Sequence, residues 1–130
     1  MSRFLIDSDL AIYSMGGEVD SPLNRRLAQC DPGEVAISAI SFAEVALGSW
    51  NGKPPKQSVL DAFIRIIPIV EFDEAAARAY ATLPFRRARF DRLLAAHALS
   101  IGAVVVTNNE ADFVDVPGLV VENWTDGEDV

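Results

Sequence analysis

Three consecutive apolar residues, Phe4-Leu5-Ile6, run directly into Asp7, Ser8 and Asp9. A segment that is apolar at successive positions has no polar face, so a strand built from it must be covered on both sides. Strands of this kind occupy the middle of parallel sheets. Leu10 to Tyr13 then turn apolar at helical spacing, so Asp7 marks the switch from strand to helix. In open α/β sheets, ligands bind in the crevice beyond the carboxyl ends of the strands. Asp7 is therefore expected at the lip of that crevice.

The rest of the chain repeats the alternation. Strands are predicted at Phe4–Ile6, Glu34–Ile37, Ile69–Glu71, Ala103–Val106 and Leu119–Val121. Helices are predicted at Asp9–Met15, Pro22–Gln29, Phe42–Ser49, Gln57–Ile66, Glu74–Thr82 and Asp91–Ile101. Asn51–Lys56, with its Gly and paired Pro, separates two of the helices. This order implies an α/β fold: a three-layer sandwich with a mostly parallel five-stranded sheet between helices. No repeat, low-complexity segment or long linker divides the chain, and one domain over residues 1–130 is expected.

In a right-handed parallel unit, strand ends and the starts of the following helices share one edge of the sheet. That edge would gather Asp7, Glu44 early in the helix after the second strand, Asp91 at the start of another helix, and Asn109 beyond the fourth strand. Asp73 and Asp112 fall near the same edge, so topology alone does not select among these residues.

Each candidate has a structural reading beside the functional one. Ser8 or Asp9 would cap the helix that starts near Leu10, worth about 1 kcal/mol. Ser41-Phe42-Ala43-Glu44 fits a capping box, with Ile40 and Val45 as its hydrophobic staple. Acids in a first helical turn, such as Asp91, are favoured by the helix dipole. The residues after Asp91 are apolar nearly all round, so that helix is buried and its acid opens onto the crevice. Thr107-Asn108-Asn109 reads locally as a turn. Arg86, Arg87, Arg89 and Arg92 form the densest positive cluster, suited equally to charge compensation and to binding phosphates through the guanidinium fork. His97 stands off the Asp91 face of its helix and reads as structural, and Trp50 and Trp124 read as packing or interface residues.

The net charge of −8 argues against sequence-blind nucleic-acid binding, which needs a basic surface. It leaves room for a nucleic-acid enzyme whose acidic site is neutralised by metal, and for a basic protein partner. Cys30 is the only cysteine, which excludes an intrachain disulfide and a cysteine-based zinc site. No apolar stretch approaches the roughly 18 residues of a membrane span, and the chain starts without a signal-peptide layout. A cytoplasmic protein is expected.

The segments FLIDSDLAIY, ISAISFAEVALG, VEFDEAAARAYATL, FDRLLAAHALSIGAVVVTNNEADF and PGLVVENW resemble, in order, those of the PIN-domain ribonucleases, and within them the VapC-type toxins of toxin–antitoxin pairs. Carried over by position, the family's acidic quartet falls on Asp7, Glu44, Asp91 and Asn109. The resemblance implies a Mg²⁺- or Mn²⁺-dependent endoribonuclease that cuts RNA phosphodiester bonds, a homodimer, and inhibition by a small antitoxin. Asp9 stands where the family's opening motif usually has Asn, and Asn109 where it often has Asp. The segment before Asp91 is shortened and rich in arginine.

On this reading Asp7, Glu44 and Asp91 ligate the metal. Asp9, Thr107 and Asp112 stand behind the ligands or position water, as does Asn109, and Arg86, Arg87 or Arg89 hold the RNA backbone. Two carboxylates about 4 Å apart repel by about 4 kcal/mol at an effective dielectric near 20, a cost that a divalent cation removes. Two other readings remain. One is a non-catalytic PIN-like interaction module. The other, suggested by Asp7-Ser8-Asp9, is a haloacid-dehalogenase-type phosphatase, which needs a catalytic lysine that Lys53 and Lys56 are poorly placed to supply.

Overall fold

A computed structural model describes residues 2–84 and 89–125. β1 (Phe4–Ile6) leads into α1 (Ser8–Gly16) and α2 (Pro22–Gln29). β2 (Val35–Ser38) runs straight into α3 (Ala39–Trp50), which is followed by α4 (Gln57–Ile66), β3 (Ile69–Val70) and α5 (Glu74–Ala81). α6 (Arg89–Ile101), β4 (Val104–Val106), a 3₁₀ turn at Glu110–Phe113 and β5 (Val121–Glu122) complete the order. The five strands form one sheet in the order β3-β2-β1-β4-β5, with every pairing parallel.

β1 lies at the centre, with Phe4, Leu5 and Ile6 beside Val35, Ala36 and Ile37 on one side and Val104, Val105 and Val106 on the other. All three of its residues are buried, as an unbroken apolar run requires. Alternation along the strands divides the core in two. Phe4, Ile6, Val35, Ile37 and Val106 join Leu10, Leu23, Val45 and Leu60 on one face. Leu5, Ala36 and Val105 join Leu94, Ala95, Ala98 and Phe113 on the other. Trp124 closes the first face, its ring edge-on to Phe4 at 4.9 Å. Trp50 is 78% exposed and packs no core.

Two expected helix starts move. The cap of α1 is Asp7, not Ser8 or Asp9: its carboxylate accepts the Leu10 N–H at 2.9 Å. The capping box at Ser41–Glu44 does not form, because α3 starts at Ala39 with Ser38 as its cap. β2 turns into α3 with no loop between them, so the capping oxygen has to come from the last residue of the strand. Ser41 is then buried inside the helix and Glu44 lies in the second turn. α6 also starts earlier than expected, at Arg89, which puts Asp91 inside its first turn.

His97 has the structural place expected of it. It is 1% exposed, its Nδ1 shares a hydrogen with Ser38 Oγ at 2.7 Å, and Phe72 meets its ring edge-on. Burial lowers its pKa, favouring the neutral ring. Through this bond α6 is tied to the start of α3.

Leu5 is fully buried at the middle of the sheet. Leu5→Ala is expected to lower unfolding free energy by about 2–5 kcal/mol, against under about 0.5 kcal/mol for Val114→Ala on the surface. Urea denaturation of the two variants checks this, and equal midpoints would contradict the central position of β1.

Candidate active site

The central strands carry their chemistry at their carboxyl ends. Asp7 follows β1 and Thr107 follows β4, and β1 and β4 are neighbours, so these two buried residues meet. The Asp7 carboxylate is pinned on one side by the Leu10 N–H and on the other by hydrogen-bonding contact with Thr107. Thr107 Oγ1 also accepts the Asn109 N–H at 3.0 Å, which fixes the turn beyond β4. α3 brings Glu44 in from β2, and Ser8 Oγ donates to Glu44 Oε1 at 3.1 Å. α6 brings Asp91. Asn109 Nδ2 donates to Asp112 Oδ2, and Asp112 in turn hydrogen-bonds Asp91.

These groups line a single cleft of about 130 Å³: Asp7, Ser8, Asp9, Glu44, Asp91, Thr107, Asn109 and Asp112, with Phe90, Leu94 and Phe113 as its apolar walls. The structure thus brings together the sequence candidates Asp7, Asp9, Glu44, Asp91, Thr107, Asn109 and Asp112. A larger cavity of about 420 Å³, lined by Leu27, Cys30, Val35 and Ile67 among others, lies at the opposite end of the strands and holds no such convergence.

The electrostatics are those of a charge cluster without a counter-charge. No basic residue lines the cleft among the described residues. Burial raises the Asp7 pKa, opposed by its hydrogen bonds and reinforced by Asp9 and Asp112. Burial also raises Glu44, against the Ser8 hydroxyl. Asp91 is pushed up to about 6, first by burial, then by the charge of Asp112 and the hydrogen bond the two carboxyls share. A carboxyl that hydrogen-bonds a second carboxyl must carry or share a proton.

Oxygen donors of this kind, gathered and uncompensated, suit a hard divalent cation. Among the described residues no three are grouped closely enough to hold an ion as they stand. The Asp91–Asp112 hydrogen bond occupies donor atoms that a ligand set would use. The residues fit such an ion in kind and number, with closure of the set left to follow ionisation.

The arginine cluster divides. Arg86 and Arg87 lie outside the described residues, as does the side chain of Arg89. Arg92 is 5% exposed and pairs with Asp115, so charge compensation, not phosphate binding, is its role. Two lining residues were not foreseen as part of the site. Ser8 was read only as a helix cap, although its place between two acids signalled the cleft. Phe90 was passed over, although an aromatic residue immediately before Asp91 was visible in the sequence.

Comparison with known proteins agrees with this geometry. The PIN domain matches residues 4–119. The tRNA(fMet)-specific endonuclease VapC of Shigella flexneri is 28% identical over 134 residues, covering 96% of this chain and all of its own length. Ribonuclease VapC2 of Rickettsia felis is 29% identical over 130 residues, covering 93% and 97%. Among solved structures, DNA-bound VapBC from Salmonella typhimurium superposes with a TM-score of 0.83 at 26% identity, covering 95% of this chain and 99% of that one. VapBC2 from Rickettsia felis, bound to a promoter DNA fragment, gives 0.77 at 28% identity, covering 93% and 98%. With the match running from β1 through the helices that carry Glu44 and Asp91 and on past β4, this chain belongs to the PIN-domain family.

Proposed function

We propose that this chain is a Mg²⁺- or Mn²⁺-dependent endoribonuclease, the toxin of a toxin–antitoxin pair. The observation that carries this reading is the cleft in which Asp7, Glu44 and Asp91 are gathered and held above their usual pKa with no basic residue among them. Support comes also from the relatives, which are named as VapC ribonucleases and, in the solved structures, as VapBC complexes. A small antitoxin and a second copy of the chain are the proposed protein partners. RNA is the proposed substrate. Neither Lys53 nor Lys56 lines the acidic cleft, which leaves a phosphatase mechanism without its lysine. No helix among the described residues is long and apolar enough to cross a membrane.

In this mechanism Asp7, Glu44 and Asp91 hold the cation. When bound, the ion neutralises the cluster, polarises the scissile phosphate and lowers the pKa of a water. The chain's own groups set the geometry. The Leu10 N–H and Thr107 orient Asp7, and Ser8 orients Glu44. Asn109 steers Asp112, which shares a proton with Asp91 and is placed to hold it as Asp91 ionises. Asp9 adds negative charge at the open side of the cleft. Arg86, Arg87 and Arg89 are proposed to hold the RNA backbone.

Asp7→Asn and Asp91→Asn are each expected to lower RNA cleavage by ~10²-fold or more, since each removes charge aimed at the reacting phosphate. The measurement is cleavage of a mixed RNA pool with Mg²⁺ or Mn²⁺ and with chelator. Undiminished cleavage in both variants, or in chelator, would sink the metal-site reading.

A second expectation concerns pH. The folded-state pKa values of Asp7, Glu44 and Asp91 lie above their ordinary values, so the folded chain keeps protons that the unfolded chain has lost. For Asp91 the window runs from the unfolded value of 3.8 to about 6. Stability of the metal-free protein from this source is present below that window and declines as pH rises through it. Thermal unfolding in chelator between pH 4.5 and 7.5 should show the decline. Asp91→Asn should flatten it, and saturating Mn²⁺ at pH 7.5 should reverse it. An identical slope in the variant would show that Asp91 is not the group responsible.

A further inference from the structure

The acidic cleft is not isolated. A second cavity of about 440 Å³ shares Ser8, Asp9 and Glu44 with it and continues past Ile12, Leu47, Gly48 and Asn51 to Lys53 and Pro54. Phe90 borders only the first cavity and Lys53 only the second. The two residues therefore stand at opposite ends of one continuous groove, with the carboxylates between them.

Both end residues are unusual for their surroundings. Phe90 is 53% exposed, a large aromatic ring presented at the rim of a polar cleft and not packed beneath it. Lys53 is one of only two lysines in a chain of net charge −8. It makes no ion pair among the described residues, although Asp9 and Glu44 line the same cavity. Its backbone is held at the end of α3, where the Lys53 N–H donates to the Gly48 carbonyl at 2.9 Å. The base of this side chain is thus fixed although its ammonium is free.

We infer that this groove is the track of a single RNA strand: an unpaired base stacks on Phe90, the scissile phosphate lies over the carboxylates, and Lys53 neutralises a phosphate farther along. This rests on the ribonuclease reading and adds to it the strandedness of the substrate and two residues that select it. Aromatic faces bind unpaired bases and not bases already stacked within a duplex. A cleft of about 130 Å³ admits one backbone and not two. A lone positive charge in an acidic groove fits a polyanion, whose phosphates are spaced along the strand.

The test uses a fluorescently labelled twelve-nucleotide RNA of mixed sequence, single-stranded or annealed to its complement. Binding is read by anisotropy and cleavage is read in the same samples, with Mn²⁺. Wild type, Phe90→Ala, Phe90→Trp and Lys53→Gln are compared, with a thermal melt of each to verify folding. The single strand should bind and the duplex should not. Phe90→Ala should weaken binding roughly 10- to 100-fold, and Phe90→Trp should restore it. Lys53→Gln should make the slope of log affinity against log salt shallower by ~0.7, the value for one phosphate on a single strand. Equal binding of duplex overturns the inference. So does a Phe90→Ala variant that binds like wild type, or an unchanged salt slope in Lys53→Gln. If the variants instead change the oligomeric state or the hold of a protein inhibitor while RNA binding stays constant, the groove belongs to a protein partner. Binding with the expected pattern but no cleavage would leave the track standing and remove the hydrolytic reading.

Discussion

The burial of like charges at the end of an apolar sheet is the constraint on which the rest of this structure depends. β1 is apolar on both faces and central, so its last residue cannot retreat to the surface. Asp7 is held there at 9% exposure, where its charge is costly. The fold answers with local donors: the first turn of α1 gives Asp7 a backbone N–H, and the end of β4 gives it Thr107. These bonds soften the penalty and do not remove it, as the raised pKa values of Asp7, Glu44 and Asp91 show. A site left in this state favours whatever brings positive charge.

The same residues serve stability and chemistry. Asp7 caps α1 and faces the cleft at once, because a capping carboxylate uses one oxygen and leaves the other free. Ser38 caps α3 and also holds His97 of α6. The helices carrying Glu44 and Asp91 are thereby fastened to each other beneath the site, by a bond buried from solvent. Packing and the spacing of the acids are one property in this protein.

Much of this was legible in the sequence. The unbroken run Phe4–Ile6 announced a central strand, and the spans of α2 and α4 follow from their apolar spacing and their flanking Ser21, Pro22 and Pro55. The convergence of Asp7, Glu44, Asp91 and Asn109 followed from parallel topology, since strand ends and helix starts share an edge. What misled was local chemistry. Ser41 and Glu44 have the spacing of a capping box, but spacing cannot show that β2 runs into α3 without a loop. The fate of Arg92 was equally hidden, because its partner Asp115 lies far along the chain and only the fold brings them together. Phe90 illustrates a third limit: a single aromatic residue reads as core until its exposure is known.

The order of the strands also sets a clock. β1 lies between β2 and β4, and Phe4 lies beside Val104, near the other end of the chain. A nascent chain grows at about 5–20 residues per second. Asp7 therefore waits several seconds after its own synthesis for the strand that supplies Thr107, and for the helix that supplies Asp91. Until β4 slots in beside β1, one edge of the central strand is open and the acids are scattered. An enzyme harmful to the machinery that makes it gains a delay from this arrangement. Its cutting centre is the last thing to assemble, when nearly the whole chain has left the ribosome.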